Sequence, residues 1–529
     1  MFLRTMRFKN KDGSTREYLQ LIKSYRQGKR TRQKLVANLG RLDILKKSGQ
    51  IDRLAEGLRR YKEREDVIAF AKDIIAKWSK IYGPPIIMRK IWTRMGLDKI
   101  LNRADEELKN KFNFEEAVFR MVVNRVIEPS SKLLLNEWEK DVFWGNDEKI
   151  ALQHYYRALN ILTKKKNTIE EEMFCYGRDL FSPDVDLVFF DTTSIYFEGQ
   201  KAAGEIGEYG YSKDRRPDRK QIILGMIMSR DGRPIGHEIF SGATADKKAF
   251  MKVIETFGKR FQIKRVILVG DRGMVSEDII REIENRGYGY ILGAKMRQVK
   301  KIKESVMKKR GKFKTVTDNL KVKEVKLNGE RYIICLNPEE AQRDRTMREN
   351  IIEKLADKLR TGGVKNLIKN SQYRRYLKIE KKTGSIDFEK IKGDARYDGK
   401  YVLRTNTNLT SPETAKAYKM LWRVERAFRE MKSVLDIRPM YHWNEQRVRG
   451  HIMMCFLAFV CEMALRKLVD MKKLAISYRA MFLDLKRLQI VKINVKEKKY
   501  LVRTEIEGNC GKIFQMVGVQ IPQRVWEVS

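Results

Sequence analysis

The apolar positions of this chain change period along its length. From Ile86 to about Leu180 they keep helical spacing, with Phe114, Ala117, Val118, Met121 and Val122 at i, i+3, i+4, i+7 and i+8 forming one stripe. A helical pattern also runs from about Arg41 to Trp78, and Gly83-Pro84-Pro85 separates the two. Before it, Tyr18-Leu-Gln-Leu-Ile and Lys34-Leu-Val-Ala-Asn-Leu-Gly40, with turns near Asp12-Gly13 and Gly28, predict short strands. Near residue 185 the texture changes. Leu187-Val-Phe-Phe190 and Val266-Ile-Leu-Val269 are short unbroken apolar runs, the pattern of strands buried on both faces. Asp231-Gly232, between 222–228 and 234–240, predicts a hairpin, and so does Asn328-Gly329 between 322–327 and 332–336. Helix-like segments at 247–261 and 276–287 follow strands, so this region predicts a mixed α/β sheet. Further on, a helix near 338–360, a strand at 401–404 and mostly helix over 412–472 are expected.

Charge narrows the function. The 529 residues carry 112 Lys and Arg against 69 Asp and Glu, a formal net charge of +43. At 42% hydrophobic the chain can bury cores, which excludes a disordered polycation, and its length implies several domains. A folded surface this positive attracts polyanions, and nucleic acid is the expected partner. Residues 1–50 hold 14 Lys/Arg and 3 Asp/Glu, and 295–314 hold ten and one. Five cysteines without a CxxC pair and only four histidines argue against structural zinc and a disulfide framework. The longest apolar run, 452–461, is about half a membrane span and predicts a buried helix. A cytoplasmic, nucleoid-associated location without a membrane partner is expected.

Asp191 follows the run ending at Phe190, and Asp271 follows 266–270. A carboxylate where a buried strand runs out is costly if dry and unpaired, so it should face a cleft and meet a partner or a metal. Singly, each Asp reads more readily as the cap of a following turn or helix; together they suggest a shared cation. If their strands are adjacent and parallel, both side chains reach one point at the carboxyl ends, where open α/β sheets place their chemistry. Tyr418, Glu425 and Lys432, spaced seven and seven, line one face of a helix. A charged surface helix with pairs such as Arg426 and Glu430 is the competing reading. Glu430 lies about 140° round the helix from Glu425 and is rejected as a ligand. Three carboxylates suit Mg²⁺, and two ions about 4 Å apart serve in-line displacement at phosphorus. In 211–219, Lys213, Arg215, Arg216 and Arg219 either contact phosphates or belong to a solvated loop. Arg272 either binds phosphate or pairs with a carboxylate, and Gly242-Ala-Thr-Ala-Asp246 reads as a structural turn.

With these residues in place, the chain resembles the DDE transposases of bacterial and archaeal insertion sequences. The group concerned has a ribonuclease-H-like core interrupted by a β-rich insertion between the second Asp and the Glu. The carriers are Asp191 in Val-Phe-Phe-Asp-Thr-Thr-Ser, Asp271 in Leu-Val-Gly-Asp-Arg-Gly and Glu425 in Trp-Arg-Val-Glu-Arg-Ala-Phe-Arg-Glu-Met-Lys, at intervals of 80 and 154. The likeness spans roughly 185–470 and extends to the basic N-terminal region. Tyr418, Glu425 and Lys432 fall on the Tyr, Glu and Lys of the group's Tyr-x2-Arg-x3-Glu-x6-Lys signature, whereas its Arg position holds Leu421. Arg423, two residues on, is about 200° round the helix.

The resemblance implies an α/β fold: a ribonuclease-H-like mixed sheet with a β-rich insertion, preceded by a basic N-terminal module and a helical domain. The expected parts are a DNA-binding module (1–78), a helical domain (84–182), the catalytic core in two pieces (185–297 and 401–472), the insertion (298–400) and a tail with a possible dimerisation role (473–529). It implies Asp191, Asp271 and Glu425 as catalytic ligands of two Mg²⁺ or Mn²⁺ ions. Tyr418 and Lys432 would contact phosphates near the transposon end, with Arg423 a candidate for the missing Arg. The segment Arg438-Pro-Met-Tyr-His442-Trp443 is assigned positioning, its His442 and Trp443 either touching DNA or forming a packed aromatic pair. The implied activity is cutting at inverted-repeat ends and joining of the 3′-hydroxyl to target DNA, by a homodimer in a synaptic complex. A non-catalytic DNA-binding derivative and a structure-specific nuclease of the same fold are the alternatives.

Overall fold

A computed structural model gives the fold for all residues except 11–12, 28–29, 60–73, 107–110, 146–147, 178–184, 200–203, 262–264, 362–363, 381–382, 496–497 and 529. The turns expected at Asp12 and Gly28, the helical pattern over 60–73 and the helix end at Leu180 lie outside the described residues. The chain divides into two compact units, 1–79 with 491–502 and 524–529, and 80–490 with 503–523.

In the first unit β1 (Phe2–Lys9), β2 (Thr15–Gln27) and β3 (Arg30–Arg41) form an antiparallel sheet, followed by α1 (Leu42–Lys47) and α2 (Gln50–Arg59). The helical pattern does not continue to Trp78. Residues 74–81 are strand β4 (Ile74–Ile81), in a four-stranded sheet whose other members come from 489–528. That pairing spans some four hundred residues, so no local pattern announces it.

The second unit opens with helices α3 (Gly83–Arg94), α4 (Leu97–Glu106), α5 (Phe114–Ile127), α6 (Lys132–Trp138) and α7 (Leu152–Tyr176). Pro84 and Pro85 sit in the first turn of α3, where a missing amide costs nothing. The Asn113 side chain caps α5 and Ser131 caps α6. There follow β5 (Val185–Tyr196), β6 (Gln221–Ser229), β7 (Pro234–Ser241), α8 (Asp246–Phe261), β8 (Arg265–Gly270), α9 (Glu277–Asn285) and β9 (Gly289–Ala294). Next come β10 (Lys314–Thr317), β11 (Leu320–Leu327), β12 (Glu330–Leu336), α10 (Pro338–Thr361), α11 (Val364–Lys369), α12 (Ser371–Arg374), β13 (Leu377–Glu380), β14 (Thr383–Ile386), α13 (Phe388–Ala395) and β15 (Lys400–Thr405). The remainder comprises α14 (Ser411–Lys419), α15 (Trp422–Ser433), α16 (Glu445–Met471), α17 (Tyr478–Arg487), β16 (Gln489–Val495), β17 (Lys498–Arg503), α18 (Cys510–Val517) and β18 (Val525–Val528). Strands β16 to β18, most of whose residues belong to the first unit, complete the sheet of β4, so the described residues of 473–529, read as a tail, are folded.

One nine-stranded mixed sheet, ordered β10-β11-β12-β15-β9-β8-β5-β6-β7, organises the second unit. The pairs β5/β8 and β8/β9 are parallel, and their neighbours are antiparallel. Alternation explains the unbroken apolar runs. Leu187 and Phe189 join the core under α14, α15 and α16, while Val188 and Phe190 join the opposite core with Phe250 of α8 and Ile279 of α9. The Asn328-Gly329 hairpin forms as expected, with φ of 51° and 78°, both positive as a type I′ turn requires. The stretch 298–400 differs from a β-rich insertion: β10 to β12 extend the main sheet, and α10 to α13 surround the small hairpin β13–β14. Residues 452–461 are the buried middle of α16, packed on α5 and α7. Among the described residues no helix is long and apolar enough to cross a membrane.

Candidate active site

Strand register brings the two aspartates level. Phe189 of β5 lies opposite Val269 of β8; Asp191 stands two residues further along β5, and Asp271, in extended backbone just past the end of β8, continues the same alternation onto the same face. Val269 is likewise opposite Ile291 of β9, which places Gly293 in the same row. The condition that the strands be adjacent and parallel is met. Asp191 is nevertheless not where β5 ends: the strand runs on to Tyr196 because its other edge pairs with β6, Asp191 opposite Met226. It is β8 that stops, at Gly270.

Asp191 is electrostatically strained. Burial pushes its carboxyl up to about 6; Asp246 and Asp271 add to the rise, and Lys213 and the Thr192 amide, which donates to Oδ1 at 2.7 Å, oppose it. The Lys213 ammonium donates to the Thr192 carbonyl at 2.8 Å and to its hydroxyl at 2.7 Å, and lies 3.3 Å from Asp246. The Thr192 hydroxyl in turn donates to Asp246, the first residue of α8. Asp246, read from sequence as part of a structural turn, therefore belongs to this acidic group. Its signal was an acid at a helix start, which a local pattern cannot tell from a cap.

Tyr418 and Glu425 do not share one helix. The chain breaks at Met420 and Leu421 into α14 and α15, and successive i to i+3 bonds (Met420 to Ala417, Leu421 to Tyr418, Arg423 to Met420, Val424 to Leu421) tighten the junction. Tyr418 still reaches the site, its hydroxyl donating to Asp271 Oδ1 at 3.1 Å while its ring stacks on Tyr401 at 5.7 Å. Burial raises its phenol well above the usual range, Asp271 and Glu425 contribute, and Arg272 works against them. Glu425 is exposed in the first turn of α15 and has no hydrogen bond or ion pair among the described residues. Lys432 donates at 2.8 Å to Asp214, which Arg438 also holds at 3.0 Å. Asp214, an acid inside a basic run, was missed because a lone acid among cations suggests only local pairing.

Other expected DNA contacts are dispersed. Leu421 is buried in the main core, and Arg423 turns away from the carboxylates to donate to the Arg230 carbonyl at the β6–β7 turn. That turn borders a groove of about 860 Å³ on the far side of α15. Arg216 pairs with Asp218 and lies over Tyr196, Arg219 pairs with Glu198, and Arg215 and Arg272 are exposed. His442 packs against Tyr156 and His451, while Trp443 is 59% exposed, so the two do not form a buried pair.

Among the described residues no three His, Cys, Asp or Glu side chains stand close enough together to hold a metal ion. The donor set nevertheless suits a hard cation: two level carboxylates, one driven toward protonation by burial, with Glu425 unpaired nearby. Gly293 gives Tyr418 its place, since a Cβ there would lie 2.6 Å from the Tyr418 hydroxyl and 3.0 Å from the Arg272 amide. Gly293→Ala is therefore expected to push Tyr418 off Asp271 and lower any reaction carried by the two carboxylates by up to roughly 100-fold, with melting little changed. Gly293→Ala/Tyr418→Phe should relieve the clash; an alanine variant of full activity would show that Tyr418 does not position Asp271.

Two family descriptions match this chain. Residues 3–72 match "IS1634 family transposase, N-terminal domain", and residues 183–461, just over half of the chain, match "Transposase DDE domain". Among curated proteins there is no match. Among solved structures, a piggyBac transposase synaptic complex with hairpin DNA aligns at 10% identity over 77% of this chain and 80% of that one, with a TM-score of 0.39, too weak to carry an argument. The matched families, the second spanning the strands and helices that carry Asp191, Asp271 and Glu425, show that the chain belongs to the DDE transposases of insertion sequences.

Proposed function

We propose that the protein binds the inverted-repeat ends of an insertion sequence as double-stranded DNA, hydrolyses a strand to expose a 3′-hydroxyl, and joins that end to target DNA. The observation that supports this most is the level pair Asp191 and Asp271 on the face covered by the Glu425 helix. The strand order β7-β6-β5-β8-β9, antiparallel up to β5 and parallel beyond, supports a ribonuclease-H-like core. DDE transposases in general use divalent metal ions. In this chain Asp191, Asp271 and Glu425 would hold them, as two Mg²⁺ or Mn²⁺ whose charge activates the attacking hydroxyl and stabilises the departing oxygen.

The chain's own residues prepare that face. Tyr418 fixes the rotamer of Asp271, and Lys213 offsets the negative charge around Asp191. Lys432 and Arg438 are held on Asp214, beside Lys213, where a DNA phosphate could take the place of the carboxylate. The net charge of +43 supplies long-range attraction for the ends and the target. A homodimer would hold two ends in a synaptic complex, in the cytoplasm and associated with the nucleoid.

The test is incubation of the full chain with a duplex carrying the inverted repeats that flank its coding region. Nicks with 3′-hydroxyl ends and strand-transfer products are expected with Mg²⁺ and not with EDTA. Cutting of branched DNA without joining would identify a structure-specific nuclease instead. Salt-sensitive binding without any breakage would identify a non-catalytic derivative, the reading that Leu421, buried where the signature has Arg, favours.

A further inference from the structure

Away from the acidic face, the helical region gathers charge of the opposite sign. Arg125 on α5 and Lys132 at the start of α6 are 5% and 3% exposed, and His451 on α16 is 7% exposed. His442, just before α16, has its ring 5.1 Å from that of His451, and Arg447 lies 4.8 Å over Tyr156, against which His442 also packs. Arg125 donates to the carbonyls of Ser130, Leu435 and Asp436 at 3.0, 3.4 and 3.5 Å. Its Nε and the Nδ1 of His451 are buried without a partner. Lys132 has no hydrogen bond or ion pair among the described residues.

Among the described residues no Asp or Glu acts on Lys132, His442 or His451. Burial pushes the Lys132 ammonium down to about 7 and the His442 imidazole down to about 4, and the cations around each add to the fall. His451 is lowered by burial and then by Arg125, Lys132 and His442. Asp436 acts on Cys455, whose Sγ lies 3.6 Å from His451 Nε2, and not on Lys132 or either histidine. Two cations this buried, Arg125 and Lys132, are costly unless an anion joins them, and the neutral imidazoles of His442 and His451 lie beside them.

We propose that Arg125, Lys132, His442, His451 and Arg447 form a phosphate-binding pocket whose occupant is a phosphodiester of the DNA backbone. A phosphate supplies the acceptor that Lys132 lacks and a counter-charge for the buried Arg125. DNA is favoured over free phosphate because Tyr441 and Trp443, on either side of His442, are 73% and 59% exposed, the arrangement in which aromatic rings meet sugars and bases next to a held phosphate. The assignment rests on the reading that the protein handles DNA and extends the DNA path to the helical region. It does not depend on catalysis.

Binding measured in EDTA tests it on the full chain, with wild type, Lys132→Met and Arg447→Ala. Lys132→Met keeps the volume and removes an uncompensated charge, so it should fold and melt at least as high as wild type; Arg447→Ala, at the half-exposed rim, is the second variant. Against chloride of equal ionic strength, inorganic phosphate should raise the melting temperature of wild type and lose that effect in Lys132→Met. Duplex DNA titrated across a salt series should bind both variants about tenfold more weakly, with the slope of log K against log salt reduced by about one. Unchanged DNA slopes in both variants overturn the proposal, whether or not the phosphate effect is lost; loss of that effect alone would assign the pocket to a free anion. Reduced slopes in a protein that cuts no DNA would sink the catalytic reading and leave the pocket standing.

Discussion

Asp191→Asn, Asp271→Asn and Glu425→Gln are each expected to lower cleavage of end-containing DNA by roughly a thousandfold or more, while DNA binding persists. Each change keeps the side-chain shape and removes the charge a divalent cation needs. Cleavage at the wild-type rate in any one removes that residue from the site. Asp191→Asn carries a second expectation. Its folded carboxyl is raised to about 6 from 3.8, so the stability it allows is complete below about pH 4 and is lost as pH rises through 6. In EDTA at pH 8 Asp191→Asn should therefore be more stable than wild type by on the order of 1–3 kcal/mol, and this advantage should shrink toward pH 5. A variant that melts lower at pH 8 would mean the buried carboxylate is not strained.

Glu170→Ala should be the most damaging change away from the acidic face. Glu170 on α7 is fully buried, with Lys166 at 3.1 Å, Arg260 of α8 at 2.7 Å and the His237 amide of β7 donating at 3.0 Å. The His237 ring Nδ1 is 2.7 Å from the same carboxylate but out of line for a hydrogen bond. Removing the carboxylate leaves two partly buried cations with only Glu238 and Glu171, a loss of about 3–5 kcal/mol and a melting temperature lower by roughly 5–10 °C. Burial opposes ionisation of Glu170, but Lys166, His237 and Arg260 together hold its carboxyl well below the usual 4.5. Its stabilisation is then present above pH 4.5 and lost as the pH falls below it. His237, lowered from 6.5 by burial, moves stability in the same direction, starting below pH 6.5. The gap between wild type and Glu170→Ala should narrow in thermal melts from pH 5 toward pH 3; a gap that is constant would show that the carboxylate acts by packing alone.

The candidate site was legible where the chemistry is local. The runs ending at Phe190 and Val269 read as strands because alternate residues are buried in two separate cores, and the Asp after each stood out against them. The break at 420–421 was not legible, since Met420 and Leu421 are ordinary helix formers and the i to i+3 turn is set by Leu421 entering the core. Nor was the turning away of Arg423, because its partner, the Arg230 carbonyl, lies nearly two hundred residues earlier. Strand β4 was missed for the same reason: its pairing partner is β16.

Amino-acid order alone determined the hairpins at Asp231-Gly232 and Asn328-Gly329, the apolar helix over 452–461 and the net charge of +43, and it singled out Asp191, Asp271 and Glu425 as candidates, because each follows from turn geometry, periodicity or charge along the chain. Tertiary structure decided that Asp191 stands level with Asp271, that Asp246 lies beside Asp191, that Asp214 holds Lys432, and that Lys132 acts on the buried His451. Those outcomes depend on strand register and helix packing between distant segments, where desolvation and proximity, and not residue type, set what a charge can do.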